Sequence, residues 1–357
     1  MKRIAIIGLG VVGASLGMAL RSSRPELEVL GRDNIPATEE KAVEMAAISR
    51  RLSNEDLSGC DVVFIATPLR IIPLVLEGIA DQLSPGTIVT DVGSVKGWVM
   101  DQFSRCLPSH ICAIGGHPLA GSDRSGVTGA DKYLLQNAVY VLTPSAPSLE
   151  AEVLQLRSLL NETGAQVMIM SPEQHDQMVA QVSHLPHIAA ACLMNNLQKQ
   201  PSALRLAAGG LRDTTRIAAS NPELWEDILL LNRESVVREV DGLIGQLQLY
   251  RQAIQEQAGS QLCQYLTAAQ QMRKNLPTLR PRLLTSADIV VIVPDKPGII
   301  GILGNILGSV GVNINDIQIM NVRDENEGSI RLGVPQTQVQ TALEVLKANG
   351  IRAWSRE

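Results

Sequence analysis

The chain has 357 residues, 45% of them apolar and 19% charged, with a formal net charge of -5. That is length for two or three domains with a large core, and no clustered basic face is present, which excludes nucleic acid and anionic membrane surfaces as partners. The cysteines (Cys60, Cys106, Cys112, Cys192, Cys263) are odd in number and scattered without a Cys-x-x-Cys pair, which excludes a disulfide framework and a zinc site and points to a reducing cytoplasm.

Lys2-Arg3 and the uncharged residues after it superficially resemble a signal peptide. Glycines at 8, 10 and 13 suit a strand-turn-helix instead, and no small-residue cleavage site precedes Arg21. Up to about residue 170, short Val/Ile-rich runs alternate with helical patterns, which predicts a Rossmann-type, doubly wound parallel α/β sheet. Its strands are expected at 3–7, 28–30, 61–66, 87–90, 111–114, 139–142 and 166–170.

From Ser171 the β signal stops. Ser171-Pro172-Glu173-Gln174 reads as a helix start with a capping serine, a first-turn proline and a box-closing glutamine. An all-α region is expected over 171–276, broken at Pro201 and at Gly209-Gly210 and restarted at Asn221-Pro222-Glu223. The stretch 224–250 carries more apolar residues than one helix face needs, so part of it is expected to pack on a second subunit. A proline-punctuated linker is expected over 277–286, and the order of patterns over 287–357 predicts a ferredoxin-like βαββαβ domain.

Gly8-Leu9-Gly10-Val11-Val12-Gly13 follows the first strand and opens a helix, so a pyrophosphate could approach free amides there. Asp33 falls at the end of the second strand, where a carboxylate would accept hydrogen bonds from an adenosine ribose. Its charge would repel a 2′-phosphate, favouring NAD over NADP, though neighbouring Arg32 could soften that repulsion. Thr67-Pro68 and the turn holding Ser94 follow later strands on the same carboxyl edge and are expected to line the same crevice. His117, between Gly115-Gly116 and Pro118, is expected just past a strand end, as a general base or as a structural loop histidine. Ser94 would either bond His117 or the nicotinamide, or cap a helix.

Five motifs carry a family resemblance: Gly-Leu-Gly-x-x-Gly at 8–13, Asp-Val-Gly-Ser-Val-Lys at 91–96, Gly-His-Pro-Leu-Ala-Gly at 116–121, Val-Ser-His-Leu-Pro-His at 182–187 and Arg-Asp-Thr-Thr-Arg-Ile-Ala at 212–218. Over residues 1–275 the chain resembles the prephenate/arogenate dehydrogenases of tyrosine biosynthesis. Its C-terminal Val-Pro-Asp-Lys-Pro-Gly turn (293–298) and Gly-Val-Asn-Ile-Asn segment (311–315) resemble an ACT domain, an amino-acid-sensing module.

The resemblance implies NAD-dependent oxidative decarboxylation of prephenate to 4-hydroxyphenylpyruvate, in a homodimer with an all-α dimerisation domain and without a metal. It implies that His117 takes the hydroxyl proton, Ser94 orients it and Arg216 binds a substrate carboxylate. It also places Asp123, Gly209 and Trp225 around the substrate, with His184 or His187; His184 is favoured. L-Tyrosine is the expected effector of the C-terminal domain, held by Asp295, Pro297, Gly298, Asn313 and Asn315. Arogenate as substrate, or a non-catalytic NAD and amino-acid sensor, are the alternatives. A β-hydroxyacid dehydrogenase would want a lysine four residues before an asparagine, and no lysine here has that spacing.

Overall fold

A computed structural model describes residues 1–121, 124–146, 149–276, 286–324 and 327–356. By compactness the chain divides into two units, Met1–Gly259 and Ser260–Glu357, described separately here.

The first unit opens with β1 (Arg3–Ile7), α1 (Val11–Ser23), β2 (Glu28–Arg32), α2 (Pro36–Glu44) and β3 (Arg50–Arg51). It continues with β4 (Val62–Ile65), α3 (Ile72–Ile79), β5 (Ile88–Asp91), α4 (Lys96–Cys106), β6 (Cys112–Pro118), β7 (Val139–Pro144), α5 (Glu150–Asn161) and β8 (Gln166–Ile169). Eight strands form one sheet in the order β3-β2-β1-β4-β5-β6-β7-β8. The central strands are fully buried on both faces, because two apolar layers cover them: one around Ile4, Ile6, Leu16 and Phe64, the other around Ala5, Val63, Leu76 and Phe103. This explains their unbroken Val/Ile character.

The sequence pattern predicted a wholly parallel sheet, and the structure corrects this: β6 and β7 are antiparallel. Among the described residues between them the one helical element is a short 3₁₀ turn, Val127–Gly129. Without a crossover helix the chain must return alongside β6 in the opposite sense. α5 then supplies a crossover, and β7 and β8 are parallel. This reversal also moves His117. β6 pairs with β5 only at Cys112 and Ala113, then runs on against β7, with His117 opposite Val141. His117 therefore lies within the strand, not beyond its end as expected.

The helices that follow are α6 (Pro172–Val179), α7 (Leu185–Leu197), α8 (Gly209–Thr215), α9 (Pro222–Leu231) and α10 (Arg233–Gln255). The capping box at Ser171 and Gln174 forms as the sequence predicted. A π turn, Ala180–His184, joins α6 to α7. Pro186 has no N–H to return to Val182, and the altered spacing of this turn accommodates that loss. The apolar pattern over 224–250 is two helices rather than one, divided at Asn232.

In the second unit, α11 (Gly259–Lys274) precedes β9 (Ser286–Pro294), α12 (Ile299–Ser309), β10 (Asp316–Asp324), β11 (Glu327–Pro335), α13 (Val339–Ala348) and β12 (Arg352–Arg356). The last six elements keep the predicted βαββαβ order, and their strands form an antiparallel sheet ordered β10-β11-β9-β12. Ile289, Val291, Leu332 and Val334 of the sheet pack with Leu303, Leu307, Ala342 and Leu346 of the helices. β10 starts at Asp316, so Asn313 and Asn315 precede it.

Candidate active site

The carboxyl edge of the central strands carries the dinucleotide loop. Gly8 has φ +97°, and a Cβ there would come within 2.5 Å of the Ala66 carbonyl, so only glycine makes this turn. Gly10 precedes α1 and has nothing within 4 Å of a built Cβ, leaving room for a phosphate at the amides of Val11, Val12 and Gly13. Asp33 accepts hydrogen bonds from Leu9 N (2.8 Å) and Ile35 N (3.0 Å), and each carboxylate oxygen retains a second lone-pair direction for a ribose hydroxyl. The neighbouring Arg32 guanidinium donates to the Leu52 carbonyl at 3.2 Å and to Asn54 Oδ1 at 2.8 Å. Beside Pro68, the buried Thr67 hydroxyl has no hydrogen-bond partner among the described residues, a polar atom that a bound ligand would satisfy. These features fit NAD.

One strand edge further along, β6 and α6 bring three side chains into a line. His117 Nδ1 lies 2.7 Å from His175 Nε2, and His175 Nδ1 lies 2.7 Å from Asp176 Oδ1. Asp176 also accepts from the backbone amides of Lys96 (2.7 Å) and Gly97 (2.8 Å), the first turn of α4, so its charge is stabilised by a helix N-terminus. A carboxylate only accepts, so the His175 proton sits on Nδ1. His175 Nε2 then accepts a hydrogen bond from His117 Nδ1–H, which leaves the His117 Nε2 lone pair without a partner among the described residues. Burial, then the neighbouring imidazole of His175, holds the His117 ring well below its ordinary pKa, so it is neutral near pH 7 and can accept a proton.

His184 and His187 stand behind this line, and neither approaches a metal-binding arrangement; among the described residues no three metal-capable side chains cluster. His184 is buried, lies 3.2 Å from Asn232 Nδ2 through its Nδ1, and is pushed down to about 4 by burial. Asn232 also donates to the Asp176 carbonyl at 2.9 Å. His187 stacks on Trp225, ring centroids 3.6 Å apart and 8° from parallel. Its Nδ1 is buried without a hydrogen-bond partner among the described residues, whereas His184, the histidine favoured for substrate, already has one.

Among the described residues Ser94 makes no hydrogen bond to His117, and α4 has no side-chain cap; a bond from Ser94 to the nicotinamide stays an expectation. The residue that orients His117 is instead His175. Arg216 and Gly209 are exposed on this chain, Arg216 opening a 3₁₀ turn after α8. Asp123 lies outside the described residues. Motif reading missed His175 and the anchoring role of Asp176, although both follow directly on the capping box that fixes their helix.

In the second unit, a cavity of about 450 Å³ is lined by Asp295, Lys296, Pro297 and Gly298 with Val293, Ile299, Ile319 and Ile330. Asn313 and Asn315 do not line it; the Asn313 amide donates to Asn315 Oδ1 at 2.8 Å, as suits residues shaping a turn.

A dinucleotide loop facing a neutral, oriented histidine across one sheet edge defines a nicotinamide-dependent oxidoreductase. Residues 16–169 match the model of the family "Prephenate dehydrogenase, nucleotide-binding domain", and residues 171–268 that of "Prephenate dehydrogenase, dimerization domain". Prephenate dehydrogenase of Bacillus subtilis is 35% identical over 338 residues, 92% of this chain and 91% of that one. The prephenate dehydrogenase of Aquifex aeolicus, in complex with hydroxyphenyl propionate and NAD+, superposes with TM-score 0.71 at 31% identity, covering 78% of this chain and 99% of that one. Synechocystis arogenate dehydrogenase gives TM-score 0.68 at 32% identity, covering 77% and 100%. The chain belongs to the prephenate dehydrogenase family.

Proposed function

We propose that the protein is an NAD-dependent prephenate dehydrogenase that converts prephenate to 4-hydroxyphenylpyruvate and carbon dioxide. The observation that carries this is the oriented base: His117 Nε2 has no partner among the described residues, and its ring is neutral and tied through His175 to Asp176. NAD, when bound, takes the hydride from the hydroxyl-bearing ring carbon. His117 holds the hydroxyl proton while the C–O bond gains double-bond character. The ring carboxylate then leaves as carbon dioxide, the electrons of the broken C–C bond complete the aromatic ring, and the phenolate oxygen takes its proton back from His117. Arg216 is the proposed partner of a substrate carboxylate, since a guanidinium makes a bidentate contact. Gly209, Asp123, His187 and Trp225 are the proposed walls of the pocket. NADH formation with prephenate, with arogenate and with 3-hydroxy acids, followed by absorbance, tests the assignment. Prephenate is expected to give the highest kcat/KM, and turnover of the hydroxy acids alone would overturn it.

Two further parts of this proposal concern assembly and control. Leu224, Leu230, Val237, Ile244 and Leu247 are exposed on α9 and α10, which supports a homodimer formed through these helices. The βαββαβ order and strand order of the second unit support an ACT-type module, and the cavity at Asp295–Gly298 combines apolar walls with the N-terminal amides of α12. That chemistry suits the side chain and carboxylate of L-tyrosine. Calorimetry with tyrosine on the full chain, and on the chain shortened after Thr285, tests this. Inhibition lost on shortening supports it; equal inhibition of both would mean that tyrosine acts in the active site.

A further inference from the structure

Beneath His117 lies a charged group for which the reaction just described has no use. Lys96 is completely buried. Its ammonium group pairs with the Asp91 carboxylate and donates to the Gly116 carbonyl at 2.7 Å. Asp91 in turn accepts from Gly93 N at 2.7 Å and from Gly116 N at 2.9 Å. Both the amide N–H and the carbonyl of Gly116, the residue before His117, are thus held by one buried ion pair.

The glycines make this approach possible. A Cβ on Gly115 would lie 2.3 Å from Thr143 Oγ1 and 3.2 Å from Lys96 Cδ, and one on Gly116 would lie 2.5 Å from the Asp91 carbonyl. The ion pair is a costly way to fill a core, because a desolvated ammonium and carboxylate are rarely more stable than apolar residues of the same size. Burial alone drives the Lys96 ammonium toward its neutral form, opposed by Asp91. The backbone of Lys96 is committed as well, since its amide holds Asp176, the far end of the line that orients His117.

We propose that Lys96 is a positioning residue for the reaction: it joins the end of β5, the Gly116 carbonyl and the Asp176 anchor, so that His117 and His175 keep one fixed alignment. The inference rests on His117 being the base, and a wild-type enzyme that fails to turn over prephenate would sink that reading, not this one.

The test is single-turnover hydride transfer, followed as NADH appears, in Lys96→Met and in Asp91→Asn/Lys96→Met, with thermal unfolding alongside. The double variant removes both buried charges, so its fold does not depend on their compensation. In such an experiment the rate constant reports the geometry of correctly folded molecules, and the amplitude reports how many there are. The expected result is a rate constant lower by about 10- to 100-fold, the scale of a misplacement of about 1 Å, in both variants, at unchanged half-saturating NAD and prephenate. A wild-type rate constant in the double variant, with or without a smaller amplitude, would show that Lys96 only neutralises Asp91, and would overturn the proposal. So would a loss confined to substrate or cofactor saturation.

Discussion

His117 Nδ1 and His175 Nε2 stand 2.7 Å apart, and this contact, with Asp176 behind it, decides which nitrogen of His117 is left for the substrate. Replacing His175 by alanine frees the His117 ring to turn and to exchange tautomers. We expect kcat to fall by about 10²- to 10⁴-fold, the range a positioned base contributes, with KM for NAD unchanged. Steady-state kinetics checks this, and a KM effect alone would assign His175 to binding.

The pH dependence follows from the same cluster. His117, His184 and His187 are all held below their ordinary pKa, first of all by burial. The acid limb of kcat/KM should therefore fall below pH 6.5, since His117 must be neutral to act. For stability, the unfolded chain takes up protons that the folded chain refuses. Stability from His184 is fully present above pH 6.5 and is lost as pH falls through about 4. That loss amounts to about 3 kcal/mol. Chemical denaturation between pH 7.5 and 4.5 measures it; a flat profile would contradict it.

Cofactor choice is expected to rest on Asp33. Changing it to alanine removes both the ribose acceptor and the hydrogen bond to Leu9 N. The preference for NAD over NADP, as a ratio of kcat/KM values, should drop by about tenfold or more, as for the loss of a hydrogen bond to a charged group. An unchanged ratio would move the selectivity elsewhere.

Arg216→Ala should chiefly raise the KM for prephenate, because a carboxylate contact is present in ground and transition states alike. Unchanged KM with a lower thermal midpoint would make Arg216 structural.

Much of this was legible in the sequence where backbone geometry dictates residue type. The Ser171–Gln174 capping box encodes a local hydrogen-bond pattern that forms as read, and the Gly8–Gly13 turn follows β1 and opens α1 as read. The reversal of β7 was not legible, because an apolar run looks the same in either direction; only the missing crossover helix signals it. His175 was missed because its role depends on α6 meeting the end of β6, a contact spanning 58 residues. Ser94 was over-read for the converse reason: its motif position suggested a bond that the tertiary structure gives to His175.

The most direct measurement of the central claim is single-turnover hydride transfer from prephenate to NAD in His117→Asn, with NAD affinity and thermal unfolding measured on the same preparation. Asparagine can keep a hydrogen bond but cannot take a proton, so the predicted result is wild-type NAD affinity and fold with hydride transfer slowed by about 10²-fold or more. Hydride transfer at the wild-type rate would contradict the assignment of His117 as the base.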